Sequence, residues 1–220
     1  MGSAGLSVDV GLAWAAPALS HDRSRACGDD RPGSLAAIDD LHFRLASRTD
    51  AKAIAALHAD SWRRHYRGAY SDSFLDGDVL ADRLAAWTRR LQKPVPGVTV
   101  LAESATALVG FVHTVFDQDP AWGALLDNLH VVHNRKRAGV GSELLALTAR
   151  AVADRRTGLY LWVLEQNRAA QAFYEAHGAR RVGRDKVGPP GGVASRLNGS
   201  PAKLRYAWSD PVELVAAGSG

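Results

Sequence analysis

The feature that most restricts the fold is a strand-to-helix passage past the middle of the chain. Residues 125–132, Leu-Leu-Asp-Asn-Leu-His-Val-Val, read as a strand, and an Ala/Leu-rich helix is expected over 140–155. Between them runs His133-Asn134-Arg135-Lys136-Arg137-Ala138-Gly139-Val140-Gly141-Ser142. Closely spaced glycines let the backbone turn tightly, so several N–H groups can converge on one anion while the helix N-terminus adds its partial positive charge. A chain organised round this passage needs a sheet to hold the strand and a helical layer to cover it, which is an α/β arrangement.

The flanking segments complete that arrangement. Alternation predicts a strand over 41–45, helical spacing predicts helices over 50–65 and 78–91, and Pro94, Pro96 and Gly97 end the second. A hairpin is expected from 98–102 and 108–116, then the strand and helix already named, a strand over 159–163, a helix over 167–177 ended by Gly178, and strands over 180–186 and 203–208. The order β-α-α-β-β-β-α-β-α-β-β implies a mixed, largely antiparallel central sheet flanked by helices. The Gly/Pro-rich stretch 189–201 is expected to be a mobile loop. Residues 1–40 lack periodicity and read as a flexible leader, 41–210 as the domain and 211–220 as a tail.

Composition narrows the class. With 46% hydrophobic and 23% charged residues in 220, the chain is neither disordered nor a membrane protein by composition. The apolar stretch 8–19 has no basic segment ahead of it and is too short to span a bilayer. A lone cysteine, Cys27, cannot form an internal disulfide, which suits a reducing, cytoplasmic setting, and no metal-ligand pattern surrounds it. The net charge of +4 suits a polyanionic partner, with the densest basic run at Arg135, Lys136 and Arg137 and no long basic tail of the nucleic-acid type.

Spacing separates the phosphate-binding turns that could occupy 136–142. A P-loop requires Gly-Lys-Ser/Thr, and Gly141 is followed by Ser142-Glu143. A dinucleotide fingerprint requires a third glycine where this chain has Leu144. What remains is basic-x-x-Gly-x-Gly. A second segment, Leu161-Trp162-Val163-Leu164-Glu165-Gln166-Asn167-Arg168-Ala169-Ala170-Gln171-Ala172-Phe173-Tyr174-Glu175-Ala176-His177-Gly178-Ala179, follows at a fixed distance.

Together these two segments resemble the GCN5-related N-acetyltransferase superfamily. Its pyrophosphate turn reads Arg/Gln-x-x-Gly-x-Gly/Ala, with Lys136, Gly139 and Gly141 in those places here. Its later strand-helix motif reads roughly Val-x-x-x-Asn-x-x-Ala-x-x-Phe-Tyr-x-x-x-Gly-Phe, matched by Val163, Asn167, Ala170, Phe173, Tyr174 and Gly178, with Ala179 replacing the last aromatic residue. The resemblance covers roughly residues 41–208. It implies acetyl-coenzyme A as co-substrate, held by Lys136, Arg137, Ala138, Gly139, Val140, Gly141 and Ser142, by Leu129 and Val131 of the preceding strand, and by Asn167, Ala170 and Phe173. It implies a primary amine of a small molecule or peptide as acceptor, with no metal, nucleic acid or membrane involved and a homodimer allowed.

The same resemblance assigns roles. Tyr174 is expected to protonate the departing thiolate, and a splayed strand to offer backbone N–H groups. Many relatives place a catalytic Glu where this chain has Leu125, so Asp127 is the first candidate base and His130, with a pKa near neutrality, the second; His65 and Glu103 are more distant candidates. Strict alternation puts Asp127, Leu129 and Val131 on one face of the strand and Asn128, His130 and Val132 on the other. Trp62, Tyr66 and Tyr70 form an aromatic group suited to the acceptor, with 189–201 as a lid, although Trp62 also suits simple packing on the sheet. A non-catalytic acyl-coenzyme A-binding module is the alternative, and nucleic-acid binding through the basic run comes third.

Overall fold

The computed structural model describes residues 38, 40–93, 95–153, 155, 157–211 and 214. The expected leader, apart from Ile38 and Asp40, and most of the expected tail lie outside them. Pro211 and Leu214 of that tail are buried.

Seven strands form one sheet in the order β1-β2-β3-β4-β5-β7-β6. They are β1 (His42–Leu45), β2 (Gly97–Glu103), β3 (Leu108–Asp119), β4 (Gly123–Val131), β5 (Leu159–Leu164), β6 (Arg180–Lys186) and β7 (Ala202–Trp208). Every neighbouring pair is antiparallel except β4 and β5, as the helical crossover between them requires. The helices are α1 (Ala51–His65), α2 (Asp72–Asp76), α3 (Val79–Gln92), α4 (Val140–Ala153) and α5 (Arg168–Ala176). Only α2, five residues long, was not legible in the sequence; so short an element has too few turns to show a period.

Each face of the sheet has its own core. Val140, Leu144, Leu145 and Val152 of α4 pack with Val112, Leu126, Leu161 and Leu204 of the sheet and with Tyr174 of α5. On the other face Ile54 and Leu57 of α1 and Trp87 of α3 pack on Leu101 and Phe111, while Trp62, Tyr70, Phe74 and Leu164 form a neighbouring cluster. Leu144 and Leu145 are fully buried, so truncating either to alanine costs about 2–5 kcal/mol. Both layers meet along β4 and β5, where the sheet changes from antiparallel to parallel.

Residues 189–201 correct the expectation of a mobile loop. Two short 3-10 turns, Pro190–Gly192 and Ala194–Arg196, are pinned to the α2 region: Ser71 N–H donates to Arg196 O (2.9 Å), Asn198 N–H to Ala69 O (2.9 Å), and Arg196 Nη1 reaches Asp82 Oδ1 at 2.6 Å. The physical reason is that local turn chemistry says nothing of the long-range partners that Arg196 and Leu197 find, the latter in a bridge with Tyr70.

Candidate active site

The site begins with a fault in the sheet. β4 pairs with β5 only through Ala124–Leu159, Leu125–Tyr160 and Leu126–Leu161; beyond these, the two strands part. On its other edge β4 stays paired with β3, but the register shifts: His113 faces Asn128 and Thr114 faces Leu126, which leaves Asp127 as the extra residue of a bulge. The β5-facing edge of β4 beyond Leu126 therefore carries main-chain groups with no strand partner.

The bulge overturns the strict alternation expected for this strand. Leu126 and then Leu129 and Val131 lie with the α4-side core. Asp127, Asn128 and His130 all turn to the α1/α3 side: Asp127 Oδ2 meets Arg90 Nη2 at 2.7 Å and Asn128 Nδ2 at 2.7 Å, and His130 Nδ1 meets Ser61 Oγ at 2.8 Å. Asp127 and His130 thus share a face, and Asp127 does not share one with Leu129. One inserted residue shifts every later side chain in a period-2 pattern, and nothing in the local composition signals the insertion.

The turn after β4 has the backbone shape its glycines predict. A 3-10 turn, His133–Arg135, precedes Arg137 at φ 62° and Gly139 at φ 78°, both left-handed. A Cβ on Gly139 would lie 2.4 Å from Ile38 Cδ1. Gly141 faces the Phe173 ring, its ideal Cβ position 3.4 Å from Cζ. Among the described residues, the backbone N–H groups of Arg137, Ala138, Gly139, Val140, Gly141 and Ser142 find no acceptor; the first helical bond comes from Glu143 N–H to Gly139 O. Six consecutive unpaired donors at a helix N-terminus form an anion cradle. Lys136 Nζ, beside this turn, lies 2.8 Å from His65 Nε2, and burial holds both pKa values below their ordinary ones.

α5 closes the other side. Asn167 is its N-cap, with Oδ1 accepting from Ala170 N–H at 3.2 Å. Phe173 makes a tilted ring contact with His177 (4.3 Å), whose Nε2 meets Ser142 Oγ at 2.9 Å, tying α5 to the first turn of α4. Tyr174 is 8% exposed, and its hydroxyl makes no hydrogen bond to another described residue. Burial raises its pKa, and Tyr66, approaching from the opposite face of the sheet, raises it further. Tyr66 itself is pushed up to about 12, mainly by burial.

The remaining candidates fall into place. Burial pushes His130 down to about 3, with His65, Lys136 and Arg83 acting the same way, so the near-neutral pKa expected of it does not hold. Glu103 is tied to Arg44 (2.6 Å) at the far end of β2. Trp62 and Tyr70 are 7% exposed each and belong to the α1-side core; Trp62 stacks on the half-buried Tyr66 at 5.2 Å and carries the Arg83 guanidinium on its ring at 4.1 Å. Of the aromatic group, Tyr66 alone retains appreciable surface.

A cleft of about 660 Å³ opens on the same face, lined by Arg89, Arg90, Lys93, Val115, Leu125 and Asp127 among others. Sequence reading missed Arg90, which fixes Asp127 from α3. It also missed Arg205, which lies over the rings of Trp122, Tyr160 and Trp162. The alternation Lys203-Leu204-Arg205-Tyr206 was the available signal, since it puts two cations on one face of a central strand.

A parted β4–β5 pair beside a helix-terminal anion cradle defines an acyl-coenzyme A-type transferase scaffold, and comparison with known proteins agrees. The family model for the acetyltransferase (GNAT) family matches residues 57–179. The chain belongs to that family and is an acyltransferase. It is similar to the N-acetyltransferase YuaI of Bacillus subtilis, 28% identical over 64% of this chain and 82% of that one. A second N-acetyltransferase relative, from Mycobacterium tuberculosis, is 30% identical over 61% of this chain and 77% of its own. Solved structures agree in fold. The PaiA N-acetyltransferase of Thermoplasma acidophilum, in complex with coenzyme A, has a TM-score of 0.58 at 17% identity, covering 76% of this chain and 99% of its own. A GCN5-related N-acetyltransferase of Rhodopseudomonas palustris reaches 0.60 at 18% identity, covering 83% and 99%. Among the described residues no helix is long and apolar enough to cross a membrane.

Proposed function

We propose that this protein transfers an acetyl group from acetyl-coenzyme A to a primary amine of a small molecule or peptide, by direct attack within a ternary complex. The observation that carries this reading is the parting of β4 from β5 after Leu126 and Leu161, next to six consecutive amide donors that lack acceptors. The residues fit the group: the amides of residues 137–142 suit a pyrophosphate, the open edge of β4 suits the amides of a pantetheine arm, and Ala170 and Phe173 suit its apolar flank. The bound co-substrate supplies an activated thioester.

The chain's own residues do the rest. An amine of ordinary pKa about 10.4 costs roughly 4.6 kcal/mol to deprotonate at pH 7, so a proton acceptor matters. Asp127 is our first choice, acting through a water. Its Oδ2 is taken by Arg90 and Asn128, which leaves Oδ1. Asp127 takes, through the water, the proton that the ammonium loses before attack; as the new C–N bond forms and the C–S bond breaks, Tyr174 gives its proton to the departing thiolate and is reprotonated by the second proton leaving the nitrogen. Backbone N–H groups on the open edge of β4 stabilise the charge that develops on the acetyl oxygen.

The second reading, a non-catalytic acyl-coenzyme A-binding module, draws on Leu125, an alkyl side chain in the cleft where many relatives carry a carboxylate. Calorimetry with acetyl-coenzyme A, followed by mass spectrometry with an amine library, separates the two. Binding with an acetylated product supports the enzyme. Binding without product supports the module, and no binding removes both.

A further inference from the structure

Arg205 is held in a way that a purely structural arginine does not require. Its guanidinium carbon lies 4.5 Å from the centre of the Trp162 ring, 5.2 Å from Trp122 and 5.5 Å from Tyr160. Its Nε is enclosed and without a partner, and no hydrogen bond or carboxylate reaches the group among the described residues. The neighbouring cation on the same face, Lys203, also sits over Trp162 (4.4 Å) but has Asp185 at 3.8 Å. The nearby carboxylate Asp119 is turned away, its Oδ1 accepting from the backbone N–H groups of Ala121 (2.9 Å) and Trp122 (3.2 Å). Aromatic faces stabilise a cation without neutralising it and shield it from water, which strengthens its attraction for an anion.

The position relative to the cleft gives this a use. Arg205 is the register partner of Trp162, the first β5 residue beyond the point where β4 and β5 part. Tyr160, beneath it, is the register partner of the cleft residue Leu125. Burial raises the pKa of Tyr160; Asp119 and Asp127 act the same way and Arg205 opposes them, so Tyr160 lies within electrostatic reach of both Asp127 and Arg205. The cleft lining, which adjoins Tyr160 through Leu125 and does not include Arg205 itself, carries Arg89 and Lys93 and has Asp127, already paired with Arg90, as its carboxylate. The lining therefore favours an anionic visitor.

Resting on the acetyltransferase reading, we infer that Arg205 is a specificity residue that binds a carboxylate of the acceptor, at the end remote from the reacting amine. β4 and β7 are two interstrand spacings apart, about 10 Å, so several bonds separate the amine from the carboxylate in a fitting acceptor, as in an ω-amino acid. The two Nη groups of Arg205 are the ends able to reach it, and a fork of this kind matches a planar carboxylate.

The test is calorimetry and tryptophan fluorescence on the full-length protein with 6-aminohexanoate and 8-aminooctanoate, each against its carboxamide. We expect at least one acid to bind about 10- to 100-fold more tightly than its amide, the range of a charged hydrogen-bonding pair. Arg205→Met keeps an apolar stem over the rings and should bring that ratio close to one, while Arg205→Lys should keep a part of it; thermal melts check that both fold. Equal binding of acid and amide by the wild type overturns the inference, as does a ratio that survives Arg205→Met. Acetyl-coenzyme A is titrated separately: its failure to bind removes the acetyltransferase reading, whereas normal cofactor binding with no acid preference removes only the role of Arg205.

Discussion

Arg90, on the last turn of α3, holds Asp127 of the β4 bulge by an ion pair of 2.7 Å, and so fixes the one cleft carboxylate that stands beside the parted strands. If Asp127 accepts the amine proton, Asp127→Asn should lower kcat by about 10²-fold or more with acetyl-coenzyme A affinity near that of the wild type. Arg90→Met should have a smaller effect on kcat, because it loosens the carboxylate without removing it. Equal kcat for Asp127→Asn and wild type would return the role of base to another group.

Tyr174→Phe tests the other proton. The hydroxyl has no partner among the described residues, so its removal leaves no orphaned group and should leave the melting temperature within experimental scatter. Burial raises its pKa, which keeps the proton on the oxygen throughout the physiological range. The expected result is a fall in kcat of about 10²- to 10⁴-fold, no change in cofactor affinity, and no alkaline limb below pH 10 in the wild type that disappears in the variant. Identical turnover numbers in the two proteins would dismiss the assignment.

The two glycines of the turn should respond differently. Gly139 sits at φ 78°, and a Cβ there would come within 2.4 Å of Ile38 Cδ1. Gly139→Ala should therefore weaken coenzyme A binding about tenfold or more, since the strained backbone alone costs on the order of 1 kcal/mol. At Gly141 the new Cβ would meet Phe173 Cζ at 3.4 Å, an ordinary contact, so Gly141→Ala should change affinity by less than about twofold. Calorimetry on both variants measures the contrast, and equal losses would place the anion elsewhere.

The contrast between these glycines also marks where sequence is informative. The elements of the sheet were legible because alternation and helical spacing are local, and the turn because left-handed backbone selects glycine at Gly139. Arg137 takes the same conformation at φ 62° with no such residue to announce it. The bulge at Asp127 was illegible for a related reason: it is defined by pairing with His113 and Thr114, fourteen and thirteen positions earlier. Lys136 was read as a phosphate ligand because it follows a strand and precedes two glycines. In the structure its Nζ lies 2.8 Å from His65 Nε2, at the end of a helix seventy-one residues away, a contact no motif announces.

Acid should unfold this protein earlier than its carboxylates alone would require. Three histidines lie between the sheet and the α1/α3 layer. The tilted rings of His58 and His130 lie 4.6 Å apart and His58 accepts from Trp87 Nε1 at 3.0 Å, while His113 binds Thr99 Oγ1 through Nδ1 (2.8 Å) and leaves Nε2 buried without a partner. Burial is the main cause that lowers all three pKa values: His58 well below 6.5, His113 to about 4 and His130 to about 3. The surrounding charges mostly act the same way, with Arg83 and Arg90 facing His58, Arg90 facing His113 against an opposing Asp127, and His65, Lys136 and Arg83 facing His130. Below pH 6.5 the unfolded chain takes up protons that the folded chain refuses. The stability these groups contribute is therefore complete above that pH and falls on acidification, by about 1.4 kcal/mol per pH unit for each histidine. Asp50, held well below the usual carboxylate range by Arg44, loses its contribution only below the ordinary aspartate value of 3.8, so the two windows do not overlap at pH 5. Urea unfolding at pH 7.5, 6.5, 5.5 and 5.0 should show the midpoint constant between the first two and dropping thereafter. His113→Gln should reduce the slope by about one histidine's share, and a midpoint that does not move down to pH 5 would mean that these rings are protonated as readily in the folded chain as in the unfolded one.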